Sequence, residues 1–128
     1  MSRPLISEAE SLVMEAIWAR GPLGAEALFA ELSAAKGWGQ ATIRTLVHRL
    51  IKKQALRSER RQGRAAYVAL VPREDYVTAE SESLLNRLFE GQVTSLVAHF
   101  SRERRLAPKD LASLRRLVAE LDAEDESD

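Results

Sequence analysis

Basic side chains are concentrated in one short stretch of this chain. Between Gln40 and Arg64 they are Arg44, Arg49, Lys52, Lys53, Arg57, Arg60, Arg61 and Arg64. With a single acidic residue, Glu59, the stretch carries a net charge of +7 in a chain whose formal net charge is zero. Guanidinium and ammonium groups bind anions by charge-assisted hydrogen bonds, and a nucleic-acid backbone presents such anions in a regular row. The chemistry that these residues suggest is the binding of a polyanion.

The first half of the stretch has the spacing of an amphipathic helix, predicted from about Gln40 to Lys53. Its apolar stripe consists of Ile43, Leu46, Val47, Leu50 and Ile51. The opposite face carries Thr42, Arg44, Thr45, His48, Arg49 and Lys52. Short threonines can approach base edges, including a thymine methyl group, and long arginines can reach guanine edges or phosphates. For His48, contact with a base, contact with a phosphate and no contact at all remain open.

The second half of the stretch has the pattern of a β-hairpin. Two extended runs, 56–61 and 65–71, flank a turn that contains Gly63. Phosphate contact at a hairpin tip requires charge and reach but no fixed geometry, and the predicted tip carries Arg60, Arg61 and Arg64. Basic helix faces are also common in proteins that are merely soluble, but the adjacent arginine-rich turn favours a nucleic-acid interface. Trp38 is assigned to packing in the core or the preceding turn.

Three predicted helices place this hairpin in a recognisable order. A capping box from Ser7 to Glu10 predicts a first helix from about Glu8 to Arg20, which Gly21-Pro22 ends. A second helix is predicted from about Ala25 to Ala35. Three helices followed by a hairpin is the order of a winged helix-turn-helix, in which the third helix enters the DNA major groove and the hairpin lies on the backbone. Residues 1–72 are therefore predicted to form a winged-helix DNA-binding domain.

Residues 73–128 have a different character and are predicted to be entirely helical. Residues 1–72 carry a net charge of +5 and residues 73–128 a net charge of −5, which suggests two roles along one chain. So small a helical segment rarely buries enough apolar surface to be stable alone. We expect a helical dimerisation domain, with return of its stripes onto the N-terminal domain as the alternative. The stripes are Leu84, Leu85, Leu88, Phe89, Val93, Leu96, Val97, Phe100, Leu111, Leu114, Leu117, Val118 and Leu121.

Composition argues against several other classes of protein. The chain has no cysteine, only two histidines and no glycine-rich phosphate loop. We therefore expect no disulfide, no metal site, no cofactor and no enzyme activity. No apolar run approaches the roughly 18 residues of a membrane span, and the N-terminus lacks the pattern of a signal peptide. The expected location is the cytoplasm.

The chain resembles the BlaI/MecI penicillinase-repressor family over nearly its whole length. The most specific segments are the pattern W-x₃-T-[IV]-x-T-L-x₂-R-L-x-K-K from Trp38 to Lys53 and the passage YVALVPREDY from Tyr67 to Tyr76. The resemblance implies a mainly α winged-helix repressor with a small β-hairpin. It implies a homodimer on pseudo-palindromic operators, usually with TACA/TGTA-type half-sites, often controlling β-lactamase or penicillin-binding-protein genes. The recognition residues it implies are Thr42, Arg44, Thr45, His48 and Arg49.

The resemblance also implies a way of releasing DNA. Family members are cut by a protease near the end of the helix that precedes the last one, usually at an Asn–Phe pair. This chain has His99-Phe100 there, which departs from the family at the candidate cleavage site. A related copper-responsive branch senses metal through C-terminal cysteines, which this chain lacks. The sequence thus predicts a homodimeric repressor that binds a DNA operator, and the resemblance implies a sensor protease as a further partner. The alternative is a winged-helix protein–protein interaction module.

Overall fold

The computed structural model of the chain describes residues 6–103 and 106–126 and is mainly helical, with one small sheet. The elements in chain order are α1 (Glu8–Arg20), β1 (Leu23–Gly24), α2 (Ala25–Lys36), α3 (Gln40–Lys52), β2 (Leu56–Arg61), β3 (Arg64–Ala69), α4 (Arg73–Phe89), α5 (Val93–Arg102) and α6 (Pro108–Glu126). The predicted fold class, mainly α with a small β-hairpin, is confirmed.

Helix α1 begins and ends where the sequence predicts. The backbone N–H of Glu10 donates to Oγ of Ser7 at 3.1 Å, and the backbone N–H of Ser7 donates to Oε1 of Glu10 at 2.9 Å. These reciprocal bonds satisfy two of the N–H groups that a helix start leaves without partners. At the other end, the N–H of Gly21 donates to the carbonyl of Ile17 at 2.8 Å.

The sheet has three antiparallel strands in the order β1-β3-β2. Strands β2 and β3 form the predicted hairpin, and Arg61 lies opposite Arg64 at its tip. The two turn residues, Gln62 and Gly63, have φ angles of 54° and 78°. Two left-handed residues in succession form the type I′ turn, whose twist matches that of the strands. We call this β2–β3 hairpin the wing.

The sequence did not predict strand β1. Only Leu23 and Gly24 belong to it, and they pair with Tyr67 and Ala66 of β3. The wing is thereby attached to the segment between α1 and α2. The second strand of the wing also ends at Ala69, two residues before the predicted end.

The hydrophobic core lies among α1, α2, α3 and the base of the wing. Fully buried side chains from these elements include Met14, Leu28, Leu50 and Leu56. In α3 the predicted apolar stripe faces this core, although Ile51 is only half-buried. Trp38 packs against the same core, in agreement with its assignment to packing. The stripe fixes which face of α3 is left for solvent.

The chain divides into two compact units between Glu80 and Ser81. In the first unit, the start of α4 is attached to α1. Nε1 of Trp18 donates to the carbonyl of Val71 at 2.8 Å, and its ring lies 5.5 Å from that of Tyr76. Nε of Arg73 lies 2.7 Å from Oε1 of Glu15. The domain boundary between residues 72 and 73 stays a prediction.

The second unit contains the end of α4 together with α5 and α6. Glu90 and Gly91, with φ angles of 51° and 79°, separate α4 from α5 near the predicted interruption at Gly91. No described residue of α4, α5 or α6 is buried. Large exposed apolar side chains of this unit are Leu84, Leu88, Val93, Phe100, Leu111, Leu117, Val118 and Leu121. Among the helices of the described ranges, none is long and apolar enough to cross a membrane.

Candidate nucleic-acid interface

The exposed face of α3 presents the polar residues that the sequence singled out. With about 100° of rotation per residue, Thr45, His48 and Lys52 lie within about 60° of one another, opposite the buried stripe. Thr42 and Arg49 lie along one edge of this face, and Arg44 lies along the other. All these side chains are exposed: Thr42, Arg44, Thr45, His48, Arg49 and Lys52. One helix surface therefore offers short hydroxyl groups at its centre and one edge, with long cations around them.

The hydroxyl of Thr45 already has an acceptor within the helix. Its Oγ1 donates to the carbonyl of Ala41 at 2.9 Å. The hydroxyl hydrogen is therefore engaged, and the side chain offers a ligand its oxygen lone pairs and its methyl group. A methyl group of this kind suits apolar contact with a thymine methyl.

Lys53, at the C-terminal end of α3, contacts the start of α1. Its Nζ lies 2.5 Å from Oε1 of Glu10, which is the buried carboxylate of the capping box. Burial alone would raise the pKa of Glu10, but hydrogen bonds from Lys53 and from the backbone of Ser7 outweigh it, so the pKa is lowered. The ion pair joins the end of α3 to the start of α1. The sequence predicted the capping box but could not reveal this partner, 43 residues away.

We expect Glu10→Gln to destabilise the fold in a pH-dependent way. Glutamine preserves the shape of the capping box but removes the charge, which should cost about 1–3 kcal/mol of unfolding free energy at neutral pH. Because the folded pKa is depressed, the charge stabilises fully above the unfolded pKa of about 4.3, and its contribution disappears as the pH falls through the folded value. Urea unfolding of both proteins between pH 3 and 7 measures this. A difference that stays constant with pH would contradict the assignment.

The wing presents its arginines in two groups. Nη1 of Arg60 donates to the carbonyl of Gly63 at 3.1 Å, so it braces the turn. Arg64 is exposed, and within residues 6–103 and 106–126 it forms no ion pair. Arg57 and Arg61 instead share the carboxylate of Glu59. The structure therefore pairs two wing arginines internally and leaves Arg60 and Arg64 without an acidic partner in that part of the chain.

Comparison with known protein families identifies the family of this chain. The model of the family described as penicillinase repressor matches residues 6–120. The chain belongs to the penicillinase repressor family. A penicillinase repressor of Bacillus licheniformis is 34% identical over 118 residues, which cover 91% of each chain. The methicillin resistance regulatory protein MecI of Staphylococcus aureus (strain N315) is 31% identical over 113 residues, covering 88% of this chain and 92% of that one.

Two solved structures of BlaI resemble part of the fold. The DNA binding domain of the repressor BlaI matches with a TM-score of 0.53 and 35% identity over 59% of this chain and 94% of that chain. The monomeric form of Bacillus licheniformis BlaI in complex with the blaP half-operator matches with a TM-score of 0.54 and 35% identity, over 59% and 92%. The winged-helix fold and the function expected from the sequence, a DNA-binding repressor of the BlaI/MecI type, are confirmed.

In this member of the family the candidate cleavage site lies in α5, the helix before the last one. His99 and Phe100 are exposed, and their rings lie 5.9 Å apart. On the other side, the ring of Phe89 lies 6.0 Å from that of His99. The bond between His99 and Phe100 is helical, and a protease needs an extended segment. Cleavage there would therefore require the last turn of α5 to unwind.

Proposed function

We propose that this repressor binds a pseudo-palindromic operator as a homodimer, with α3 in the major groove and the wing along the phosphate backbone. The observation that carries the proposal is the exposed face of α3, where Thr42, Thr45 and Arg49 lie on one polar surface of the helix that the basic wing follows in the chain. Base edges in the major groove require this mixture of short and long polar side chains. The BlaI neighbour, solved as a monomeric form in complex with the blaP half-operator, supports the operator as the ligand.

The ten proposed DNA contacts fall into groups of different chemistry. Base contact is assigned to Thr42, Arg44, Thr45, His48 and Arg49, since these lie on the central part of α3. Phosphate contact is assigned to Lys52 at the end of α3 and to the wing residues Arg60, Arg61 and Arg64. Lys53 is the tenth proposed contact and is also assigned to a phosphate. Its ammonium group would bind that phosphate while it lies beside the carboxylate of Glu10.

The homodimer is supported by the apolar surface of the second unit. In a single chain Leu88 is 60% exposed, Val93 59% and Val118 56%, which are unusual values for residues in regular apolar stripes. A second copy of the same helices would cover these side chains. A symmetric dimer would also place two α3 helices on half-sites about one DNA turn apart, roughly 34–36 Å.

The proposal includes a location, a set of target genes and a release mechanism. The protein would act in the cytoplasm, without enzyme activity of its own, and would repress β-lactam resistance or cell-wall stress genes. The names of two relatives, penicillinase repressor and methicillin resistance regulatory protein MecI, support these targets. A sensor protease would release DNA by cutting at His99-Phe100.

A gel-shift experiment with the DNA upstream of the protein's own gene tests the proposal. We expect a discrete complex at moderate salt that an excess of random-sequence DNA does not displace. Raising the salt from about 50 to 200 mM should weaken binding roughly 10³- to 10⁵-fold if the dimer makes about 6–10 phosphate contacts. Binding that is absent, or equal on all sequences, would instead favour a protein–protein interaction module.

The wing has its own expected result. Arg64→Ala should weaken binding to operator and random DNA by similar factors, because a phosphate contact carries no sequence information. The slope of log K against log [salt] should become shallower by about 1 for each lost contact. Titrations by fluorescence anisotropy at several salt concentrations measure both effects. Arg20→Ala, which removes one exposed positive charge from α1, where Arg20 pairs with Glu31, is the control for net charge. A selective loss on the operator alone would assign Arg64 to a base instead.

A further inference from the structure

The wing carries an anion of its own. Glu59 lies in β2, where Nη1 of Arg57 is 2.5 Å from its Oε2 and Nε of Arg61 is 2.5 Å from its Oε1. Each carboxylate oxygen thus accepts from a different guanidinium. One acidic side chain thereby offsets one of the two positive charges of this pair, and the other two wing arginines are Arg60 and Arg64.

Strand geometry explains why the three side chains meet. Alternate residues of a strand point to the same face, so Arg57, Glu59 and Arg61 form a row with the acid in the middle. Across the hairpin Glu59 faces Ala66, whose methyl group is too small to displace the carboxylate from this row. This contact is therefore a property of the strand and needs no distant part of the chain.

The chemistry of the contact resembles that of a DNA phosphate. A carboxylate and a phosphate both present pairs of anionic oxygen acceptors to the guanidinium group. Hydrogen bonds from Arg61 first, and then from Arg57, lower the pKa of Glu59, so the two arginines favour its ionised form. A phosphate that approaches either arginine must therefore displace Glu59 or share the guanidinium with it.

We propose that Glu59 occupies Arg57 and Arg61 as an internal substitute for phosphate and thereby limits the affinity of the wing for DNA of any sequence. This inference rests on the proposed function. It divides the wing arginines into two pairs. Glu59 weakens the binding of phosphate by Arg57 and Arg61, whereas Arg60 and Arg64 have no acidic partner among the described residues. The exposure of both paired arginines, 52% and 58% of their side chains, leaves them accessible to a competing anion.

Glu59→Gln tests this on a random-sequence DNA duplex. We expect binding to tighten roughly 3- to 10-fold near 0.1 M salt, and the slope of log K against log [salt] to steepen by about 1–2. Glu74→Gln, which removes an exposed acid at the start of α4, is the control for net charge. Equal effects of the two substitutions, or weaker binding by Glu59→Gln, would overturn the inference.

A double-mutant cycle separates the effect on DNA affinity of the contacts between Glu59 and the two arginines from the effect of the net charge of the protein. In an Arg57→Gln/Arg61→Gln background, Glu59→Gln should change affinity no more than Glu74→Gln does. A full effect that persists in this background would show that Glu59 acts without the two arginines, against the inference. Should Glu59→Gln lower the thermal unfolding midpoint, Glu59→Thr repeats the test with a side chain that suits a strand.

The same titrations distinguish this inference from the function on which it rests. A wild-type protein that binds neither its upstream DNA nor random DNA would overturn the proposed function, and the inference with it. Specific wild-type binding to the upstream DNA combined with an unchanged salt slope in Glu59→Gln would overturn the inference alone.

Discussion

Replacing Arg49 with alanine is expected to lower operator affinity by about 1–3 kcal/mol per half-site, or roughly 5- to 150-fold. Arg49 is exposed on the same edge of α3 as Thr42, and it forms no ion pair with any residue of the described ranges. Its guanidinium is therefore available for a guanine edge. Removal would leave the acceptors of that base without protein partners.

Fluorescence anisotropy with the operator and with single-base variants of it measures the loss at Arg49. The wild type should discriminate among bases at one position of each half-site, and Arg49→Ala should not. Arg49→Lys is the matched control, because it preserves the charge but loses the planar fork. It should restore binding to random DNA without restoring base discrimination. Equal operator affinity of wild type and Arg49→Ala would exclude Arg49 from base contact.

Leu88→Asp is expected to convert the proposed dimer into a monomer. Burial of a leucine side chain contributes about 2 kcal/mol, and a symmetric interface contains it twice, so the loss of about 4 kcal/mol raises the dimer dissociation constant roughly 1000-fold. Introduction of a charge adds to this effect. Because Leu88 is 60% exposed in the single chain, the substitution should leave the fold of the protomer intact.

Analytical ultracentrifugation over a range of concentrations tests the dimer. Ser83→Asp is the matched control, since it adds the same charge to α4 on the face opposite the stripe of Leu84, Leu85, Leu88 and Phe89. We expect Ser83→Asp to sediment as the wild type does, and Leu88→Asp to sediment as a monomer with reduced operator affinity. A Leu88→Asp protein that remains dimeric would place the interface on another part of the second unit.

The elements with strong local patterns were predictable from the sequence. The capping box at Ser7 and Glu10 defines the start of α1, and a regular apolar stripe defines the buried face of α3. The exposed face of α3 then follows by geometry alone. Strand β1 was not predictable in the same way, because two residues after a Gly-Pro stop contain no periodicity.

Side-chain contacts were likewise predictable only where they follow from a local pattern in the sequence. The contact between Glu10 and Lys53 joins residues from different helices, and it depends on how α1 and α3 pack. The row of Arg57, Glu59 and Arg61 has a visible local pattern, since residues at every second position of a strand share a face. That pattern was present in the sequence, and it would have identified Glu59 as a partner of the wing arginines.

The tip of the wing has a consequence for its motion. Arg61 and Arg64 face each other across the last pair of the hairpin, and the part of their like charge that Glu59 does not offset opposes pairing. Gln62 adds the cost of a left-handed conformation in a residue other than glycine. Backbone amides at the tip should therefore exchange with solvent sooner than those at the base. A polyanion that screens the two guanidiniums would slow this exchange, and by reciprocity a hairpin that is already closed would bind the polyanion more tightly.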